Sequence, residues 1–120
     1  MILKNILLVA LGGMLGSVLR YLASLLITHN SFPAATFTVN VCGCFAIGLI
    51  MGLAGHTEGF GEWRLFLATG VCGGFTTFSA FSWESINLMQ QGRYGAFAVY
   101  AGGSFILGLG ATLAGYLITR

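Results

Sequence analysis

Five Lys or Arg and three Asp or Glu are all the formal charge in 120 residues. That is 7% of the chain, against roughly 25% in a soluble domain. So few charges cannot cover a folded surface with groups that water accepts. With 57% hydrophobic residues and a mean hydropathy of +0.90, the solvent must be lipid. In lipid every backbone N–H and C=O needs an internal partner, which leaves helical bundles or closed β-barrels. Barrel strands alternate apolar and polar residues. The runs here are longer and apolar on all sides, so helices are expected.

A span takes roughly 20 residues. Four fit, at about 6–27, 35–54, 65–89 and 95–118, as a single transmembrane domain covering 1–120. The first loop passes through His29, Asn30, Ser31 and Pro33, and a polar hinge with His56, Glu58, Glu62 and Arg64 follows the second span. A turn at Gln91, Gly92 and Arg93 precedes the fourth. Lys4 leads into an apolar run with no small-residue cleavage site, so the N-terminal stretch reads as a span and not as a leader. Cys42, Cys44 and Cys72 are an odd number inside apolar segments and read as small packing residues.

Glycine placement is helical. Gly12 and Gly16, like Gly48 and Gly52, lie four apart, and each pair makes a flat groove; Gly103, Gly108, Ala111 and Gly115 form a looser face. Close backbone packing of this kind holds helices together where lipid removes the hydrophobic force between them. It serves contacts within a chain and between chains alike. The charges are nearly balanced across the membrane: Lys4, Arg64 and Arg120 on one face, Arg20 and Arg93 on the other. Lys and Arg counts set orientation. A difference of one predicts insertion either way up and antiparallel pairing of two copies.

The densest polar stretch is Gly70-Val71-Cys72-Gly73-Gly74-Phe75-Thr76-Thr77-Phe78-Ser79-Ala80-Phe81-Ser82. Paired glycines followed by paired threonines are poor helix formers, which predicts a break at membrane depth. Irregular backbone survives there only inside protein or against a wet cavity. Freed carbonyls suit a hard cation such as sodium, and the N-terminus of the resumed helix suits an anion. Phe78 and Phe81 share a helical face, and their electropositive edges can border a small anion without the grip of a full charge. Asn40, with Thr36 one turn earlier, is either a hydrogen bond between helices or an amide donor to a dehydrated anion. Tyr100, Ser104 and Gly108 recur at four-residue steps in the fourth span. Arg20 and Glu84 are the charges deepest in apolar segments and are functional candidates on that ground. No carboxylate pair, no nucleophile with a base and no metal-ligand spacing is present, so the chain has no visible equipment for an enzyme.

Three stretches together resemble the bacterial fluoride channels, the Fluc (CrcB) family: Gly12-Gly13 through Gly16 to Arg20-Tyr21, then Thr36-Phe37-Thr38-Val39-Asn40, then Gly70 to Ser82. The resemblance covers essentially the whole chain. It implies an all-α membrane protein of four helices with a broken third, working as a dual-topology antiparallel homodimer. Such a dimer exports fluoride passively across the bacterial inner membrane through two pores, with membrane lipid around it and no nucleic-acid partner. It also implies that Phe78 and Phe81 line the pores with Asn40, Thr36, Ser79, Tyr100 and Ser104, and that Arg20 and Glu84 are vestibule residues. The carbonyls of Gly73 and Thr76 from both copies would hold a structural sodium ion at the dimer interface. Two positions depart from the family pattern. Gly108 stands where serine is frequent, leaving the inner end of the polar track to water or Thr112, and Ala80 stands for a common threonine.

Two rival readings fit the residues less well. A proton-coupled exporter of small cations needs an embedded carboxylate, typically in its first span, and 6–27 holds only Arg20 as a charge. A structural membrane subunit has no need of the polar stretch beside a phenylalanine pair.

Overall fold

The computed structural model describes residues 1–28 and 30–120. His29, assigned above to the first loop, lies outside the described residues. Among those residues there is no strand, and four helical segments are long and apolar enough to cross a membrane. The molecule extends 50 × 29 × 23 Å.

Helix α1 (Ile2–Leu26) begins four residues ahead of the expected span. Nothing in Leu3-Lys4-Asn5 opposes a helix, and Lys4 is held at the surface by Glu62, 2.6 Å away. Its C-terminus gives way to extended backbone at Ile27, and Pro33, with its fixed φ, stands at the N-cap of α2 (Ala34–Ala54). The polar hinge is partly helical: after a turn through Gly59 at φ +72°, α3 (Gly61–Arg64) runs directly into a wide π-helical stretch, Leu65–Cys72. One turn, α4 (Gly73–Phe75), follows. Thr76 (φ −89°, ψ 157°) and Thr77 (φ −151°, ψ 118°) are extended, and α5 (Phe78–Gln90) completes the third apolar segment. The turn into α6 (Tyr94–Thr119) closes with Gly92 at φ +74°. The Gly92 and Arg93 amides donate back to the Met89 and Leu88 carbonyls, a Schellman end that requires the left-handed glycine.

Packing divides the bundle into two tight pairs. Helix α1 lies on the third segment through Gly12 and Gly16. A Cβ at Gly12 would stand 2.5 Å from the Phe66 carbonyl oxygen, and one at Gly16 would collide with that of Val71. Helix α2 lies on α6 through Gly48, Gly52 and Gly115, where added Cβ atoms would collide with Thr112, Thr119 and Phe45. The pairs Cys44–Gly108, Gly48–Thr112 and Gly52–Tyr116 are each 64 residues apart, so α2 and α6 run parallel in fixed register. Thr112 and Thr119 hydroxyls donate across this seam to the carbonyls of Cys44 (3.1 Å) and Leu49 (2.8 Å). The glycine pairs therefore do their close packing inside one chain. Of the face expected to be looser, Gly103 and Gly108 are so, with neighbours at 3.6 and 3.4 Å, but Gly115 is as tightly packed as the pairs because it meets the backbone of α2.

Loop contacts group the ends of the segments. At one end Lys4 meets Glu62, and His56 Nε2 donates to the Thr119 carbonyl at 2.6 Å. At the other, Arg93 donates to the Ser31 carbonyl. The large outward side chains of α1 and α6, such as Leu11, Val18, Phe105 and Leu109, are exposed, as helices bathed in lipid require.

Substitution of Gly48 by alanine is expected to destabilise the folded chain by about 1–3 kcal/mol, because the methyl meets backbone that cannot yield. Gly110→Ala, with open space at its Cβ, should leave stability equal or slightly higher. Thermal unfolding of the two variants in detergent checks the difference.

Candidate functional site

The Thr76–Thr77 step is the centre of the site, and its polar groups are met from three sides. Asn40 on α2 takes both backbone groups of Thr77: its Oδ1 accepts from the Thr77 amide at 2.8 Å, and its Nδ2 donates to the Thr77 carbonyl at 3.0 Å. Arg20 on α1 donates from Nε to the Gly74 carbonyl at 3.1 Å. Thr76 Oγ1 folds back to the Cys72 carbonyl at 2.8 Å, and Thr77 Oγ1 accepts the Ala80 amide at 3.2 Å as the N-cap of α5. Asn40 makes the bond between helices with one of its two amide N–H groups and also borders the groove described below.

These bonds have a consequence for the carbonyls. In an uninterrupted helix the Thr77 amide would close on the Gly73 carbonyl and the Ala80 amide on that of Thr76. Here those amides go to Asn40 and to Thr77 Oγ1. Gly73 and Thr76 both border an open groove of about 410 Å³ between the two helix pairs. Hard, oxygen-only donors of this type match sodium or another hard cation, not a soft metal. Among the described residues no cluster of His, Cys, Asp or Glu offers an alternative metal site.

The same groove carries Asn40, Phe78, Phe81 and Ser104. The phenylalanine rings are 5.7 Å apart between centroids, and Phe81 continues onto the Tyr100 ring at 5.1 Å. Phe78 is 78% exposed at the start of α5, on the open side of the groove. Ser104 Oγ is enclosed with no hydrogen-bond partner.

Other candidates lie elsewhere. Tyr100 is fully buried and donates to Glu84 Oε1 at 3.1 Å. Ser79 is exposed, and its Oγ is 3.2 Å from that of Thr77. Arg20 borders a second cavity of about 310 Å³ with Thr36 and Thr77, between α1 and α2. Glu84 borders a third, about 170 Å³ and polar, beside Arg93 and the first loop. The two charges assigned to a vestibule thus open onto different cavities. Thr36 and Thr77 stand between the Arg20 cavity and the rest of the site.

Sequence reasoning passed over the individual roles of Thr77, Cys44 and Phe105. Thr77 was findable, since threonine three residues before Ala80 at the head of an apolar run is an N-cap pattern. Cys44 and Phe105 line the groove only because of how α2 and α6 are rotated, and no local signal announces that.

Residues 7–116 match the family model described as CrcB-like protein, Camphor Resistance (CrcB). Among curated relatives, the fluoride-specific ion channel FluC of Azobacteroides pseudotrichonymphae genomovar. CFP2 is 45% identical, the match covering 98% of each chain. That of Rhodospirillum centenum is 46% identical over 98% of this chain and 97% of its own. That of Thermus thermophilus is 48% identical over 95% and 94%. A family-model match over residues 7–116, with relatives 45–48% identical over nearly the whole chain, means that this four-span chain belongs to the CrcB family.

Proposed function

We propose that the chain is a fluoride-selective channel of the bacterial inner membrane, working passively and not as an enzyme. The observation that carries this reading is the groove in which an amide, two phenylalanines and a partnerless serine hydroxyl meet at membrane depth. The names of the relatives supply the ion. Fluoride is small and strongly hydrated, so a path for it must replace water with many weak donors. Phenylalanine edges and hydroxyls do that without a fixed positive charge that would trap the ion.

In this reading two copies insert in opposite orientations and pair about an axis in the membrane plane. The groove of each copy, open on the side of Phe78 and Phe105, is closed by the other. Two pores result. The third span is broken at Thr76–Thr77, and Asn40 holds the break open. Fluoride enters the vestibule at Arg20 and passes Thr36, Asn40 and the edges of Phe78 and Phe81. Ser79 and Ser104 supply hydroxyls, Tyr100 backs the Phe81 ring with its own hydroxyl held on Glu84, and Glu84 borders the polar cavity beside Arg93.

The carbonyls of Gly73 and Thr76 from both copies would hold a sodium ion, which when bound supplies a fixed positive charge joining the two third spans. The bonds that take the Thr77 and Ala80 amides away from those carbonyls support this assignment. The chain's own part is to aim the oxygens. Thr76 Oγ1 and Asn40 set the dihedrals on either side of them, and Arg20 fixes Gly74 between.

Liposomes loaded with fluoride or chloride and carrying the purified protein test the function with ion-selective electrodes. Rapid fluoride release without chloride release is expected; folded protein that releases no fluoride overturns the reading. Phe78→Ile and Phe81→Ile should each lower fluoride flux by at least about tenfold, with the dimer intact by size, because the electropositive ring edge is lost. Unchanged flux in both removes them from the path. Asn40→Asp should lose flux and about 1–3 kcal/mol of stability, since a carboxylate cannot donate to the Thr77 carbonyl and repels an anion.

The sodium proposal predicts a bound ion on the dimer axis between the paired Gly73 and Thr76 carbonyls. It also predicts that replacing sodium by a large organic cation weakens the dimer. Full dimer stability without sodium would count against it.

A further inference from the structure

The row of polar groups along α6 has a gap, and the neighbouring helix fills it. Tyr100, Ser104, Gly108 and Thr112 recur at four-residue steps, and all but Gly108 carry a hydroxyl. Helix α2 runs parallel and presents Thr36, Asn40 and Cys44 at the same spacing. At one end of the paired rows Thr36 and Tyr100 are 64 residues apart, the same register as Cys44 and Gly108. At the other, Cys44 Sγ stands 3.4 Å from where a side chain on Gly108 would begin. The sulfur therefore occupies the notch that the glycine leaves, and the Thr112 hydroxyl pins the Cys44 carbonyl at 3.1 Å.

A second observation points to a ligand beside it. Cys44 and Ser104 border the same groove as Phe78 and Phe81. Ser104 Oγ is enclosed and has no protein partner. A buried hydroxyl is costly to leave unpaired, so its retention implies a group that visits it.

We propose that the Cys44 thiol lines the anion path next to Ser104, taking the place of the hydroxyl that α6 lacks at Gly108, and helps to set throughput. The proposal rests on the fluoride-channel reading. An S–H is a weak donor on a polarisable atom, which suits a station that must release a small anion quickly. Cys42 is exposed and borders none of the cavities described above. Cys72 borders the same groove from the third span but is buried at the end of the π-helical stretch and has no part in the Gly108 notch. The two serve as comparisons within the chain.

Silver ion, a small thiophilic cation, is the probe. Fluoride efflux from liposomes is measured before and after Ag⁺ in chloride-free buffer, each protein against its own untreated rate. Wild type should fall by at least about tenfold and Cys44→Ser by less than about twofold, since a soft cation binds thiol and not hydroxyl. Cys42→Ser and Cys72→Ser should remain blocked. Wild type indifferent to Ag⁺, or Cys44→Ser blocked as fully as wild type, overturns the proposal. If untreated wild type releases no fluoride, the channel reading fails. Labelling by a water-soluble thiol reagent, read by intact mass, then still decides where the thiol lies: label on Cys44 and not on Cys42 supports a wet path at the sulfur, and Cys44 left unlabelled overturns it.

Discussion

The carboxamide of Asn40 takes both backbone groups of Thr77, and the rest of the site is arranged around that pair of bonds. In lipid no water is on hand to satisfy an amide that leaves a helix. Two consecutive extended residues in an apolar segment therefore need a donor and an acceptor supplied from outside. Asn40 supplies both from one side chain. Arg20 and the Thr77 hydroxyl meet the neighbouring groups. With these partners in place, the irregular backbone releases the Gly73 and Thr76 carbonyls and starts α5 with Phe78 on the groove.

The groove itself is a product of uneven packing. Glycines let α1 lie against the third segment, and α2 against α6, at backbone distance. Between the two pairs contact is looser. Asn40 crosses to Thr77, Phe81 stacks on Tyr100, and Tyr100 reaches Glu84. Two rigid halves joined by a few polar and aromatic contacts leave space along their seam, and that space is where the weak donors gather. A bundle packed by glycine throughout would be tighter and would have no such opening.

What the sequence by itself determined is the solvent, the number of spans and the place where helix fails. Eight charges in 120 residues demand lipid, and lipid demands helices. Gly73-Gly74 before Thr76-Thr77 locates the irregular step, because low helix propensity is a local property. The glycine pairs, the Tyr100–Ser104–Gly108 row and the Thr36–Asn40 step were legible as features for the same reason: each is a spacing along one helix.

Only the tertiary structure decided what those features touch. Asn40 holds Thr77 because α2 and the third segment meet there. Arg20 and Glu84, alike in sequence as isolated charges in apolar runs, open onto separate cavities. Tyr100 spends its hydroxyl on Glu84, and Cys44, a plain packing residue in the sequence, stands in the notch of Gly108. Helix rotation and register come from backbone contacts between residues 50 to 70 positions apart. No pattern within a single span encodes which faces will meet.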